Sequence, residues 1–311
     1  MDENGVVGLN FLVYEKVDIA KAEMHKEHHG FLFGLTAAFM SALSALLTKL
    51  AVGVPSETLV FFRFFVAVLV VLPWVFLGKV HLHWKFLRKH IVRGLTGLGA
   101  IYCFFYSVKY LPLVAAVTAS NTAPLFMPLV VFFWLRLIIP KARIWALLVG
   151  FLGILVILRP GSEVGQMTMF IGLLGGLFSA FAQVGIRQLS KTESTETIMT
   201  YYFLISAVVS FPLLFITWKP IENSITWLYL FIISLTSLGY QYCIVKSLTH
   251  APATKVSTMA YLSVIFGGFL GWWFFGEVPT RWEILGIGLI VAGGLLALFS
   301  KETSRKRDAL K

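Results

Sequence analysis

One hydrophobic pattern occurs twice in this chain, the second copy repeating the first at an offset of 138 to 140 residues. The copies share Gly34/Gly172, Ser41/Ser179, Lys49/Arg187, Glu57/Glu196, Thr58/Thr197, Pro73/Pro212, Tyr102/Tyr242, Cys103/Cys243, Pro112/Pro252, Thr118/Thr258 and Gly153/Gly293. Each copy carries five apolar segments long enough to cross a bilayer. Five is odd, so the second copy enters the membrane from the side opposite to the first. The expected fold class is an all-α integral membrane protein with ten transmembrane helices, arranged as two inverted five-helix repeats. Many secondary transporters are built in this way.

Composition excludes the main alternatives. Of 311 residues, 58% are hydrophobic and only 13% charged, too little polar surface for a soluble protein of this size. A formal charge of +11 would suggest nucleic acid in a soluble domain. Here the Lys and Arg residues sit in short loops between apolar runs, where they set orientation and meet anionic headgroups, so no nucleic-acid partner is expected. Cys103 and Cys243 fall inside apolar segments and read as small hydrophobes. No metal-ligand spacing and no cofactor motif occurs; the basic loop His81, His83, Lys85, Arg88, Lys89, His90 lacks the carboxylate or thiolate a metal cluster would use. There is no catalytic constellation, so no enzyme is expected.

Spans are predicted at 31–50, 57–78, 91–109, 113–135, 143–159, 168–189, 197–217, 225–246, 253–276 and 282–300. They divide the chain into a cytoplasmic tail (1–30), a first repeat (31–160), a second repeat (168–300) and a basic cytoplasmic tail (301–311). The first 30 residues have no apolar core segment, so no signal peptide is expected there. The side bearing both termini collects most of the 26 Lys and Arg residues, against Lys49, Lys109, Arg159, Lys219 and Arg281 on the other side. Both ends should therefore be cytoplasmic. Arg63 alone is placed within a span, while Arg93 is assigned to a basic loop. Small residues four apart, at Gly172/Gly176, Gly267/Gly271 and Ala146/Gly150, are expected packing seams.

A charge at the depth of Arg63 costs a few kcal/mol unless it faces water or a partner. It reads either as an anchor for a carboxylate or phosphate or as a structural Arg that snorkels outward. In the fourth span, Pro124 and Pro128 remove amide donors near Asn121 and Ser120, which predicts a broken or kinked helix presenting acceptors to a solute. The repeat mate of Asn121 is Tyr261, and Thr118/Thr258 lie a turn away. Gln183, Tyr102, Tyr106 and Trp134 complete the candidate binding set, the aromatics as stacking surfaces. No acidic residue is placed at mid-membrane depth, which weakens proton-coupled export of cationic drugs. Glu57, Glu196 and Glu277 read as helix-end residues that could gate through an ion pair.

Phe61-Phe62-Arg63-Phe64 opening the second span, Ala123-Pro124-Leu125-Phe126 in the fourth and Gly276-Glu277 ending the ninth resemble the EamA-type drug/metabolite transporters. The resemblance covers residues 31–300. It implies a basket of helices around a central cavity and alternating access as the repeats tilt. The Phe61 to Phe64 segment followed by Pro73 also resembles the S-adenosylmethionine uptake branch. The expected function is secondary transport of a small polar metabolite, an amino acid or derivative, across a bacterial inner membrane, with export of lipophilic drugs as the alternative. The expected partners are a small-molecule substrate and membrane lipids; monomer and homodimer both stand.

Overall fold

The computed structural model describes residues 28–78, 80, 84–136, 141–157, 163–218, 220, 221, 223–251 and 253–299. Most of the N-terminal tail, the whole C-terminal tail, and His81 and His83 lie outside them, as do the side chains of Thr258 and Lys255 within a described helix. The helices are α1 (His28–Leu50), α2 (Ser56–Phe76), α3 (Leu87–Tyr110), α4 (Leu113–Ser120), α5 (Ala123–Leu135), α6 (Lys141–Ile157), α7 (Glu163–Leu189), α8 (Thr195–Thr217), α9 (Ser224–His250), α10 (Ala253–Phe275) and α11 (Arg281–Phe299). The pair α4 and α5 together make one span, Leu113–Trp134. The remaining nine helices are the other spans, so the chain has the all-helical fold of ten spans in two repeats. Each span buries its own backbone polar groups internally, as hydrocarbon requires.

Packing runs between the halves more than within them. The fifth and tenth spans, α6 and α11, share the largest helix contact, followed by α3 with α7 and α2 with α8. Repeat-related glycines allow the first of these. A Cβ at Gly153 would lie 2.6 Å from the Gly286 carbonyl, and one at Gly293 would lie 2.7 Å from the Ala146 carbonyl. With no water-driven force between helices, such close backbone approach supplies the attraction. Large apolar side chains cover the outside, among them Phe215, Ile216, Val208 and Trp273. Short connections put residue 28 and residue 299 on one face, called the terminal face here; the opposite one is the far face.

The helix ends correct one sequence expectation. α3 starts at Leu87, preceded by a 3₁₀ turn over Trp84–Phe86, so the third span begins before residue 91. His90 is consequently inside a helix and not in a basic loop, and Arg93, counted with that loop although it falls at the start of the predicted 91–109 span, lies well within α3; both are buried, and His90 stacks on Tyr201 with centroids 4.0 Å apart.

Candidate functional site

The fourth span breaks where its prolines predict. Pro124 has no amide hydrogen to offer the Ser120 carbonyl, and α4 ends there. Asn121 and Thr122 turn the chain, with Asn121 Nδ2 donating to the Val117 carbonyl (2.8 Å) and Thr122 Oγ1 to that of Ala119 (2.8 Å). Helix α5 then restarts with Pro124 in its first turn, where a missing donor is harmless. The break fits against α7 because Gly176 leaves the space that the Thr122 hydroxyl occupies.

Beside this break lies a chamber of about 70 Å³ in the middle of the bundle. Its walls are largely repeat-related positions: Ser41 and Ser179 from α1 and α7, Arg63 and Tyr202 from α2 and α8, Gly97 and Ser237, Ala100 and Tyr240, and Ile101 and Gln241 from α3 and α9. Ser120 and Asn121 add the broken span. The mates of this last pair, Ala260 and Tyr261, do not line it, so the two halves contribute unequally there. Several lining atoms are buried without a hydrogen-bond partner: Ser120 Oγ, Gln183 Oε1, Gln241 Nε2, Arg63 Nη2, and Arg93 Nε and Nη1. Buried polar atoms are seldom left so, and a cluster of them around one space marks a place for a polar solute.

Both arginines are nearly inaccessible, at 3% for Arg63 and 2% for Arg93. Among the described residues neither has a carboxylate paired with it, and no Asp or Glu lines the chamber. Aromatic faces take the place of counter-ions. The Arg63 guanidinium lies 5.5 Å from the Phe64 ring and 5.9 Å from that of Phe105, and Arg93 lies 3.8 Å over Tyr202. Arg93 folds back along α3 into room left by Gly97, where a Cβ would collide with Nη1.

The two faces carry related contacts. At the far face, left-handed Gly276 (φ 63°) turns the chain after α10, so that Glu277 folds back over Gly271. Its carboxylate pairs with Lys49 and accepts from the Leu113 backbone N–H (2.6 Å) at the positive end of α4. Lys49 also donates to the Leu111 carbonyl (3.1 Å) at the end of α3. At the terminal face its mate Arg187 donates to the Leu248 and Thr249 carbonyls (2.9 and 3.0 Å) at the end of α9. No acid partners Arg187 there among the described residues.

Of the residues singled out from sequence, the structure brings Arg63, Ser120, Asn121 and Gln183 together at the chamber. It places the others elsewhere. Tyr261 packs against Gly294 on α11 in a separate apolar cluster with Leu125 and Ile290. Tyr102 lies against the main core outside the chamber lining. Tyr106 stacks on Tyr110 (4.7 Å) and faces the far-face groove by Lys49 and Lys109. The Thr118 hydroxyl turns back to the Val114 carbonyl (2.6 Å), and Trp134 packs on Phe181 near the terminal end of α5. The side chain of Thr258 is outside the described residues. Sequence reasoning missed Arg93 and Tyr202. The signal for Arg93 was a cation one turn before Gly97, with four residues of the same span preceding its predicted start.

Residues 28–159 and 166–299 each match the EamA-like transporter family. The chain is 31% identical over 271 residues to the pseudopaline exporter of Pseudomonas aeruginosa, covering 86% of this chain and 95% of that protein. It is 26% identical to an S-adenosylmethionine uptake transporter of Rickettsia felis (90% and 95% covered) and 26% identical to the riboflavin transporter of Vibrio cholerae (86% and 93%). A solved crystal structure superposes with a TM-score of 0.62 at 19% identity, over 86% of this chain and 96% of that one, and so shares the fold.

Proposed function

The chain belongs to the EamA-like transporter family, and from that premise we propose that it moves a small polar metabolite bearing a carboxylate across a bacterial cytoplasmic membrane. The cargo class is an amino acid or amino-acid derivative, S-adenosylmethionine being one example. Transport is by alternating access, facilitated or by exchange, with both termini cytoplasmic. The observation that carries this reading is Arg63: a buried, incompletely partnered guanidinium in a chamber walled by matching positions of both repeats. Such a charge is costly in hydrocarbon and is retained where it binds something. Its planar fork matches a carboxylate with two parallel hydrogen bonds.

Gln183, Gln241 and Ser120 offer further polar atoms to the rest of the solute, and Tyr240 a ring. At about 70 Å³ the chamber holds only a few waters, so a metabolite enters when the two halves part. Export of lipophilic drugs is the weaker reading, because serines, glutamines and cations line the path. Relatives named for uptake and for export both support a carrier and leave direction to experiment. In proteoliposomes, Arg63→Ala and Asn121→Ala should abolish uptake and counterflow of labelled cargo while membrane insertion stays intact. Wild-type flux through both variants would remove the site from this chamber.

A further inference from the structure

The chamber holds two guanidinium groups where one would serve a single carboxylate. We infer that the cargo is an organic anion with two acidic groups, one held by Arg63 and the other by Arg93, and that Arg93 selects diacids over monoacids. This rests on the carrier reading above and narrows its substrate class, setting aside cargoes with a single carboxylate such as S-adenosylmethionine.

Three observations carry it. Arg93 is as deeply buried as Arg63 and has two nitrogens, Nε and Nη1, without partners. Among the described residues the lining contains no carboxylate, so neither cation is neutralised by an acidic side chain there, and two buried positive charges favour a solute that brings two negative ones. The two groups are also held on separate aromatic faces: the Phe64 and Tyr202 rings meet edge to face at 5.2 Å, with Arg63 5.5 Å from the first and Arg93 3.8 Å from the second. The residues sit on antiparallel α2 and α3, Arg63 two turns from the far end of α2 and Arg93 under two turns from the terminal end of α3. Two acidic groups on one carbon skeleton suit two cations carried by different helices, each able to take one carboxylate through its planar fork. The room at Gly97 is part of the device, since it lets the Arg93 side chain fold toward Arg63's level.

The test measures thermal stabilisation of the detergent-purified full chain by glutarate and adipate, against valerate, hexanoate and sulfate. A diacid should stabilise at a concentration at least tenfold below its matched monoacid. Arg93→Gln should remove that preference, so that each diacid and its matched monoacid stabilise at concentrations within a few fold of one another, while Arg93→Lys, which keeps the charge and guards against misfolding, should retain part of it. Equal stabilisation by monoacids and diacids, or an Arg93→Gln variant that still prefers diacids, overturns the diacid assignment and leaves Arg63 and the carrier reading in place. Sulfate binding as tightly as adipate also overturns it. Stabilisation by none of the carboxylates overturns both readings.

Discussion

At the scale of the residue, the site depends on how buried cations are held without carboxylates. Arg93 lies over Tyr202, 3.8 Å from the ring centre, and a desolvated guanidinium over an aromatic face is stabilised by about 2 kcal/mol. Tyr202→Leu should therefore weaken diacid binding by roughly tenfold or more, about 1.4 kcal/mol for each factor of ten. Tyr202→Phe keeps the ring and should bind within a few fold of wild type. Both are read from the concentration dependence of thermal stabilisation. Gly97 bears on the same contact, because a methyl group there occupies the place of Nη1 and meets the Tyr202 ring. Of the five neutral candidates outside the chamber with described side chains, Tyr106, Thr118 and Trp134 have other polar or ring contacts, while Tyr102 and Tyr261 pack in the apolar cores with their hydroxyls buried and without a hydrogen-bond partner.

At the scale of the element, two features of helix packing matter most. The first is the crossing of α6 and α11, where backbone meets backbone. Gly153→Ala and Gly293→Ala push a methyl group against main-chain atoms that cannot rotate away, and overpacking of this kind costs about 1–3 kcal/mol. Gly288, on the same helix as Gly293, has nothing within 4 Å of its missing Cβ. Gly288→Ala should leave the melting temperature unchanged or raise it slightly, since Ala is the better helix former. A melting comparison of the three variants checks the crossing: equal behaviour would mean that α6 and α11 do not approach as described. The second feature is the break between α4 and α5. It puts Ser120 and Asn121 at the chamber wall, where irregular backbone is tolerated inside a membrane span.

At the scale of the whole molecule, the inverted repeat gives each face its own latch, and the two differ in chemistry. Lys49 with Glu277 ties α1, α3, α4 and α10 at the far face by an ion pair and a capped helix end. Arg187 ties α7 to α9 at the terminal face through carbonyls alone. Glu277→Gln should release the far face. In a background with Cys103 and Cys243 replaced by Ala, a cysteine at chamber residue Ser237 should then react several-fold faster with a membrane-impermeant thiol reagent added from the far side. An unchanged rate would show that the pair is not a closure. Orientation is tested with the same reagent: Val52→Cys, highly exposed in the far-face turn, should be labelled in intact cells, and protection of it would invert the assignment of the faces.

The number of spans, their inverted pairing and the depth of Arg63 could be read from the chain alone, because crossing a bilayer is decided locally: about 20 apolar residues suffice wherever they occur. The break at Asn121 was legible for the same reason, since two prolines remove donors whatever surrounds them. Which side of each helix looks inward was not legible. Lipid and protein interior are both apolar, so a span carries little of the amphipathic periodicity that reveals the buried face of a soluble helix. Tyr261 and Arg93 mark the difference. Symmetry paired Tyr261 with Asn121, yet packing against Gly294 rotates it away; Arg93 resembled a loop cation until the early start of α3 and the room at Gly97 carried its charge into the chamber. Helix rotation and helix ends are set by close packing between spans, and that is a property of the folded pair of repeats.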